Sequence, residues 1–143
     1  MSPKNKLLLG FIVIPFVIVL DFLSKIYAQN FLFVICNKGI SFGLGNVGIS
    51  FLISGSLLTL LSFLLVKENN KVFVISYLMI LSAGSANFLD RLLNGCVRDF
   101  INIGAFLPYL KFLPLFNLAD LTLTAGFVIM LWKIVIKLPN IKS

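Results

Sequence analysis

The segments Ile49–Val66 (ISFLISGSLLTLLSFLLV) and Val72–Leu89 (VFVISYLMILSAGSANFL) decide the fold. Each runs for 18 residues without a charge, and the five residues Lys67-Glu68-Asn69-Asn70-Lys71 join them. Buried strands end within about eight residues. A bilayer core of about 30 Å needs about 20 apolar residues in a helix. Lipid offers no partner to exposed backbone groups, which selects helices for such runs. The two segments therefore predict a pair of antiparallel membrane spans joined by a tight polar turn.

Working towards the N-terminus, Asn37-Lys38-Gly39-Ile40-Ser41-Phe42-Gly43-Leu44-Gly45 breaks any helix, because three glycines in seven residues permit tight backbone turns. Asn37 reads there as a turn residue. Ahead of it, Phe31–Ile35 is an apolar run of strand type. Leu7–Tyr27 is a further span behind the basic head that carries Lys4 and Lys6. It resembles a signal peptide, yet no small-x-small cleavage site follows, so the expectation is an uncleaved first span. Asp21 and Lys25 stand four apart, acid first, on one helix face. Either they are a neutralised pair at a membrane edge, or they brace a polar site.

Towards the C-terminus, Ser82-Ala83-Gly84-Ser85-Ala86 is a run of small residues. It lets helices approach closely, or leaves room for a substrate. Asn87, Asp90 and Arg91 follow at spacings of three and four, so they share a helix face. Leu92–Leu115 is a mixed loop carrying Arg98, Asp99 and Lys111, with Pro108 and Pro114 as breakers. The fourth span runs from Leu118 to Lys137. Asn117 is its expected N-cap, and Asp120 falls in the first turn, where the helix dipole favours a carboxylate.

Composition agrees with four spans, at about 7–27, 49–66, 72–89 and 118–137, in one membrane-embedded domain. The chain of 143 residues is 59% hydrophobic and only 12% charged, with a mean hydropathy of +1.07, whereas soluble domains are about a quarter charged. The net charge of +7 comes from lysines that flank apolar segments. That is a membrane-orientation pattern, not a nucleic-acid surface. Cys36 and Cys96 are too few for a disulfide framework or a structural zinc site. The chain has no histidine, which excludes Ser-His and Cys-His catalysis and His-ligated zinc. No metal or cofactor is expected.

Four alternating spans put Asp21, Asp90, Asp99 and Asp120 at one membrane face and Glu68 at the other. Seven basic residues (Lys4, Lys6, Lys67, Lys71, Lys133, Lys137, Lys142) lie on the side of both termini, against five (Lys25, Lys38, Arg91, Arg98, Lys111) on the acidic side. The positive-inside rule then places the termini in the cytoplasm and the acids outside. Each acid also has a bland account: Asp21 with Lys25, Asp90 with Arg91 or another base, Asp99 with Arg98, and Asp120 as a helix-start residue.

Two close aspartates cannot both ionise easily. The charged one can activate a water while the protonated one polarises a carbonyl and later protonates the leaving amine. Asp99 and Asp120 are the expected pair. A Ser24–Lys25 hydrolase fails because helix neighbours point about 100° apart. Ser41 could approach Lys25 in space, but nothing in the sequence requires it, and a Cys96 nucleophile lacks a histidine partner. A small four-span transporter would want an acid near mid-span, and a scaffold would need no acids at all.

These residues resemble the lipoprotein signal peptidase (signal peptidase II) family. The match rests on Asp21…Lys25, Asn37-x-Gly39 with Phe42-Gly43, Asn87-x-x-Asp90-Arg91, Val97-x-Asp99-Phe100-Ile101 and Phe116-Asn117-x-Ala119-Asp120, with Gly126 beyond. The resemblance implies an all-α integral membrane protein with four transmembrane helices, a small extracytoplasmic β element and a surface helix. It also implies an aspartic endopeptidase of the bacterial cytoplasmic membrane. Such an enzyme removes the signal peptide from prolipoproteins, cutting before a diacylglyceryl-modified cysteine, works beside membrane lipid, and is inhibited by globomycin. By the resemblance Asp99 and Asp120 are catalytic, Asn37 and Gly39 cradle substrate, and Asn87, Asp90, Arg91, Asn117 and Ala119 line or order the site. Asp21 and Lys25 support it. Ser82, Ala83 and Ala86 stand where the family is richer in glycine, Leu121 where it commonly has serine, and Arg98 where it is often apolar. Arg98 would hold its neighbour Asp99 ionised, making Asp99 the base.

Overall fold

The computed structural model describes residues 1–39 and 47–137. Ser41, the Phe42-Gly43 motif and Lys142 lie outside the described residues. Four long helices carry the chain: α1 Pro3–Phe31, α2 Val47–Lys67, α3 Lys71–Asn94 and α4 Leu118–Lys137. All four are long and apolar enough to cross a membrane. At 1.5 Å per residue, α1 is about 43 Å long, so it outruns the hydrocarbon core. Its extra turns surround the apolar run Leu7–Tyr27: Ser2 caps the start and Leu32 ends it in an extended conformation.

The four helices assemble around α3, which packs against α1, α2 and α4. Ala83 and Ala86 of α3 meet Ala119 of α4, with Ile18 and Leu123 beside them. Gly126 of α4 lies on α3, where an added Cβ would stand 2.9 Å from Ile80 Cγ1 and 3.1 Å from Ser76 O. The small-residue run of α3 thus serves close helix packing. Outward faces stay apolar: Phe11, Phe16, Leu52, Val66 and Trp132 are exposed, as lipid-facing residues should be.

On the side of the N-terminus, the α2–α3 turn is tied to α1. Lys6 Nζ donates to the carbonyls of Val66 and Glu68, at 2.8 Å each. A lysine there meets carbonyls that the end of α2 leaves without helical partners. The N-terminal amine bonds to the Asn69 carbonyl.

The other side carries the β element. β1 (Ile35–Asn37) pairs antiparallel with β2 (Val97–Asp99), with Ile35 opposite Asp99, Cys36 opposite Arg98 and Asn37 opposite Val97. The strand thus lies further along the chain than the Phe31–Ile35 run expected from apolarity. Phe31 completes α1, and pairing is specified by the residues that face β2. Gly95 (φ 71°) caps α3 in the left-handed region, and its N–H reaches Arg91 O, which turns the chain directly into β2. Past β2, Ile101 bridges Phe116. That bridge closes the loop between them and sets Asn117 beside the end of β2. The helix expected in this loop takes the form of two single 3₁₀ turns, Ile103–Ala105 and Pro108–Leu110, interrupted by proline. Phe106, Tyr109 and Phe112 are 85%, 71% and 76% exposed along it.

Candidate active site

Asn117 organises the site. Its side-chain oxygen accepts the Asp120 N–H at 3.0 Å, while Asp120 Oδ2 accepts the Asn117 N–H at 3.1 Å. This reciprocal pair is a capping box at the start of α4, which fixes both side chains by local helix geometry. The Asn117 amide also donates to Asp99 Oδ1 at 2.7 Å and to Asn87 Oδ1 at 3.1 Å. Asn87 Nδ2 donates to Asp120 Oδ1 at 2.9 Å. Asp99 and Asp120 are therefore linked through a single asparagine. Asn37 Nδ2 holds the remaining Asp99 oxygen at 3.1 Å.

The pair is unequal in its surroundings. Asp99 is buried at 4% exposure, whereas Asp120 is half-buried. Burial pushes the Asp99 carboxyl up to about 6. The Asn37 and Asn117 bonds and Lys25 oppose the rise, and the Asp120 charge adds to it.

Behind the pair lies a buried ionic cluster. Lys25 Nζ reaches Asp21 at 2.7 Å, Asp90 at 3.2 Å and Asn87 Oδ1 at 3.0 Å. Asp21 Oδ1 in turn accepts the Ala119 N–H at 2.9 Å, near the start of α4. The Asp21–Lys25 pair is thus a brace, not an edge pair: both residues are 1% exposed and tie α1 to α3 and α4. Such charges would be costly in lipid unless mutually paired.

Arg98 departs from the expectation that it holds Asp99 ionised. Adjacent strand residues point to opposite faces, and Arg98 turns away from Asp99 towards Asp90. It meets Asp90 Oδ1 through Nη2 at 2.7 Å and Nε at 2.8 Å, and its backbone N–H reaches Asp90 Oδ2. Its Nη1 bonds Gln29. Asp90 accordingly pairs with Lys25 and Arg98. The neighbouring Arg91 instead donates Nη2 to Gly39 O at 2.8 Å, and its buried Nε has no partner among the described residues. Gly39 N–H reaches Asn37 Oδ1 at 3.1 Å, so Asn37 ties the turn as well as Asp99. Leu121 is exposed.

Sequence reasoning missed three features. Gln29 is a partner of Arg98, Ser50 of α2 hydrogen-bonds the Lys38 carbonyl, and Cys36 and Cys96 form a disulfide. The cysteines did leave a signal: topology puts both on the acidic face, one next to Asn37 and the other three residues before Asp99.

Four apolar spans around paired aspartates, held by buried amides and ions, describe a membrane-embedded hydrolase of the aspartic type. The family model for signal peptidase II matches residues 13–136. The chain is 33% identical to the lipoprotein signal peptidase of Anaplasma phagocytophilum, over 89% of this chain and 92% of that one. It is 32% identical to that of Chlorobium phaeobacteroides, over 81% and 75%. A solved bacterial membrane enzyme shares its fold, with a TM-score of 0.79 over 94% of this chain and 91% of the other, at 22% identity. The chain belongs to the signal peptidase II family and is a multi-pass membrane protease. The family does not favour the transporter reading.

Proposed function

We propose that Asp99 and Asp120 are the catalytic pair with which this signal peptidase II removes signal peptides from prolipoproteins, within one membrane-embedded domain comprising the whole chain. The observation that carries the assignment is the Asn117 link between their carboxylates. We assign the shared proton to Asp99 on its deeper burial, at 4% exposure; in that form it polarises the scissile carbonyl and protonates the leaving amine. Asp120, half-buried at the helix start, takes the proton of the attacking water. Asn87 and Asn117 keep the two groups in register. Asp21, Lys25 and Asp90 brace them, and Ala119 carries the N–H through which the brace reaches α4. Asn37, Gly39 and Arg91 cradle the peptide backbone, a role supported by the buried Arg91 Nε, which has no partner among the described residues.

The substrate reading goes further: a prolipoprotein with a diacylglyceryl-modified cysteine, cut just before that residue while its lipid stays in the bilayer. Globomycin would compete for the same site. The site faces the extracytoplasmic side of the bacterial cytoplasmic membrane, with both termini in the cytoplasm. Two observations support that orientation. Lysines are more numerous on the terminal side, and the disulfide lies on the opposite one, as in an oxidising compartment.

The test uses purified protein with a diacylglyceryl-modified precursor and its unlipidated counterpart. Asp99→Asn and Asp120→Asn should each lower cleavage about 10²–10⁴-fold or more, with membrane insertion unchanged. Wild type should prefer the lipidated precursor and lose activity with globomycin. Normal cleavage by either variant would refute the assignment.

A further inference from the structure

β1 has little to hold it in place by packing. It is three residues long, and both Ile35 and Cys36 are exposed. A two-stranded ladder so short is not stable alone, and although β2 is buried, β1 brings to it only two exposed residues and one half-buried one. Two side-chain links cross the ladder. On one face, Cys36 sits opposite Arg98 but bonds diagonally to Cys96. On the other, Asn37 sits opposite Val97 but bonds diagonally to Asp99. The first link leans towards the start of β2 and the second towards its end, so they resist slippage in opposite directions. A slip of one residue would turn Asn37 to the wrong face.

We propose that the Cys36–Cys96 disulfide is a positioning element of the active site. It fixes β1 on β2, holds the Asn37 amide on the Asp99 carboxylate, and makes full peptidase activity depend on the oxidised state. The proposal rests on Asp99 belonging to the catalytic pair. Cys36 is exposed while Cys96 is buried, and a cavity of about 540 Å³ lined by Gln29, Phe33 and both cysteines adjoins the bond. A small thiol therefore has access. The bond forms by exchange with a protein disulfide: the cysteines give up two protons and two electrons, and the carrier leaves as a dithiol. Excess dithiothreitol reverses the exchange and is itself oxidised to its cyclic disulfide.

Asp99 is faced by Asn37 from β1, Asn117 and Asp120 from the start of α4, Lys25 from α1 and Arg91 from α3. Asn37 favours the charged carboxylate. Loosening it should leave Asp99 protonated to higher pH. The experiment compares the full chain oxidised, reduced with dithiothreitol, and as the Cys36→Ser/Cys96→Ser double variant, on a lipidated precursor across pH. Reduced protein and double variant should both lose about tenfold in plateau kcat/KM. Their alkaline limb should move to higher pH, and reoxidation should restore the wild type alone. Oxidised Asn37→Ala should reproduce both changes, with reduction adding nothing. An unchanged rate and pH profile on reduction would overturn the proposal, as would a further loss on reducing Asn37→Ala. If the oxidised wild type cleaves no precursor, the peptidase reading fails instead. The infrared band of the Asp99 carboxyl, assigned by subtracting Asp99→Asn, then decides the positioning: titration at higher pH on reduction supports it, and no change refutes it.

Discussion

At the scale of the residue, the site sets stability against reactivity at Asp99. Its folded carboxyl titrates at about 6, above the ordinary 3.8. The sign follows from linkage. Between these values the folded protein holds a proton that the unfolded chain releases, so stability falls as pH rises. The penalty is absent below about pH 4 and complete above about pH 6, and is on the order of 2–3 kcal/mol. Asp99→Asn carries no such penalty. In detergent it should melt above wild type at neutral pH, and the gap should close as pH drops below about 4, while cleavage should stay far below wild type at every pH. Calorimetry across pH checks both the direction and the closing. Arg98 shows what sequence adjacency conceals: strand alternation sends it to Asp90, so the partner of a charged residue could not be read from its neighbour.

At the scale of the element, α3 and α4 carry the geometry, and two glycines report on it differently. A Cβ at Gly126 would meet Ile80 Cγ1 at 2.9 Å, Met79 Cβ at 3.1 Å and Ser76 O at 3.1 Å, part of which is backbone. At Gly84 it would meet the flexible end of Leu58 at 2.9 Å. Gly126→Ala should therefore cost about 1–3 kcal/mol and pull α4, with Asp120, off α3. Gly84→Ala should cost little. Thermal unfolding in detergent and cleavage rates of the two variants distinguish them. The spans were legible because lipid imposes a simple requirement on 18 apolar residues. The N-cap at Asn117 was legible because capping is local chemistry. β1 was not, since Phe31–Ile35 looks strand-like by composition, whereas pairing depends on a partner 60 residues away.

At the scale of the whole molecule, alternation of four helices gathered Asp21, Asp90, Asp99 and Asp120 on one face before any contact was known. What alternation could not divide was labour among them: Asp21 and Asp90 are consumed by Lys25 and Arg98, leaving Asp99 and Asp120 joined through Asn117. Nor did two cysteines reveal their bond, because pairing needs geometry and not a count. Orientation has a direct check. In intact cells, a membrane-impermeant maleimide should label Lys111→Cys and spare Asn69→Cys, which lies in the turn on the side of the termini.

The exposed rings of Phe106, Tyr109 and Phe112 lie on the loop closed by the Ile101–Phe116 bridge. Amphipathic rings such as that of Tyr109 are enriched at the headgroup level of a bilayer, and the exposed phenylalanines beside it add apolar surface, so this loop would act as a float. The float and the start of α4 are coupled through the bridge, and the distance from the water line to Asp120 becomes a built-in draught. On the proposed reading, a lipid-anchored substrate would meet Asp99 and Asp120 only where its own anchor depth agrees with that draught. Turnover in vesicles of graded acyl length should therefore pass through a maximum, and Phe106→Ser/Phe112→Ser should flatten the dependence.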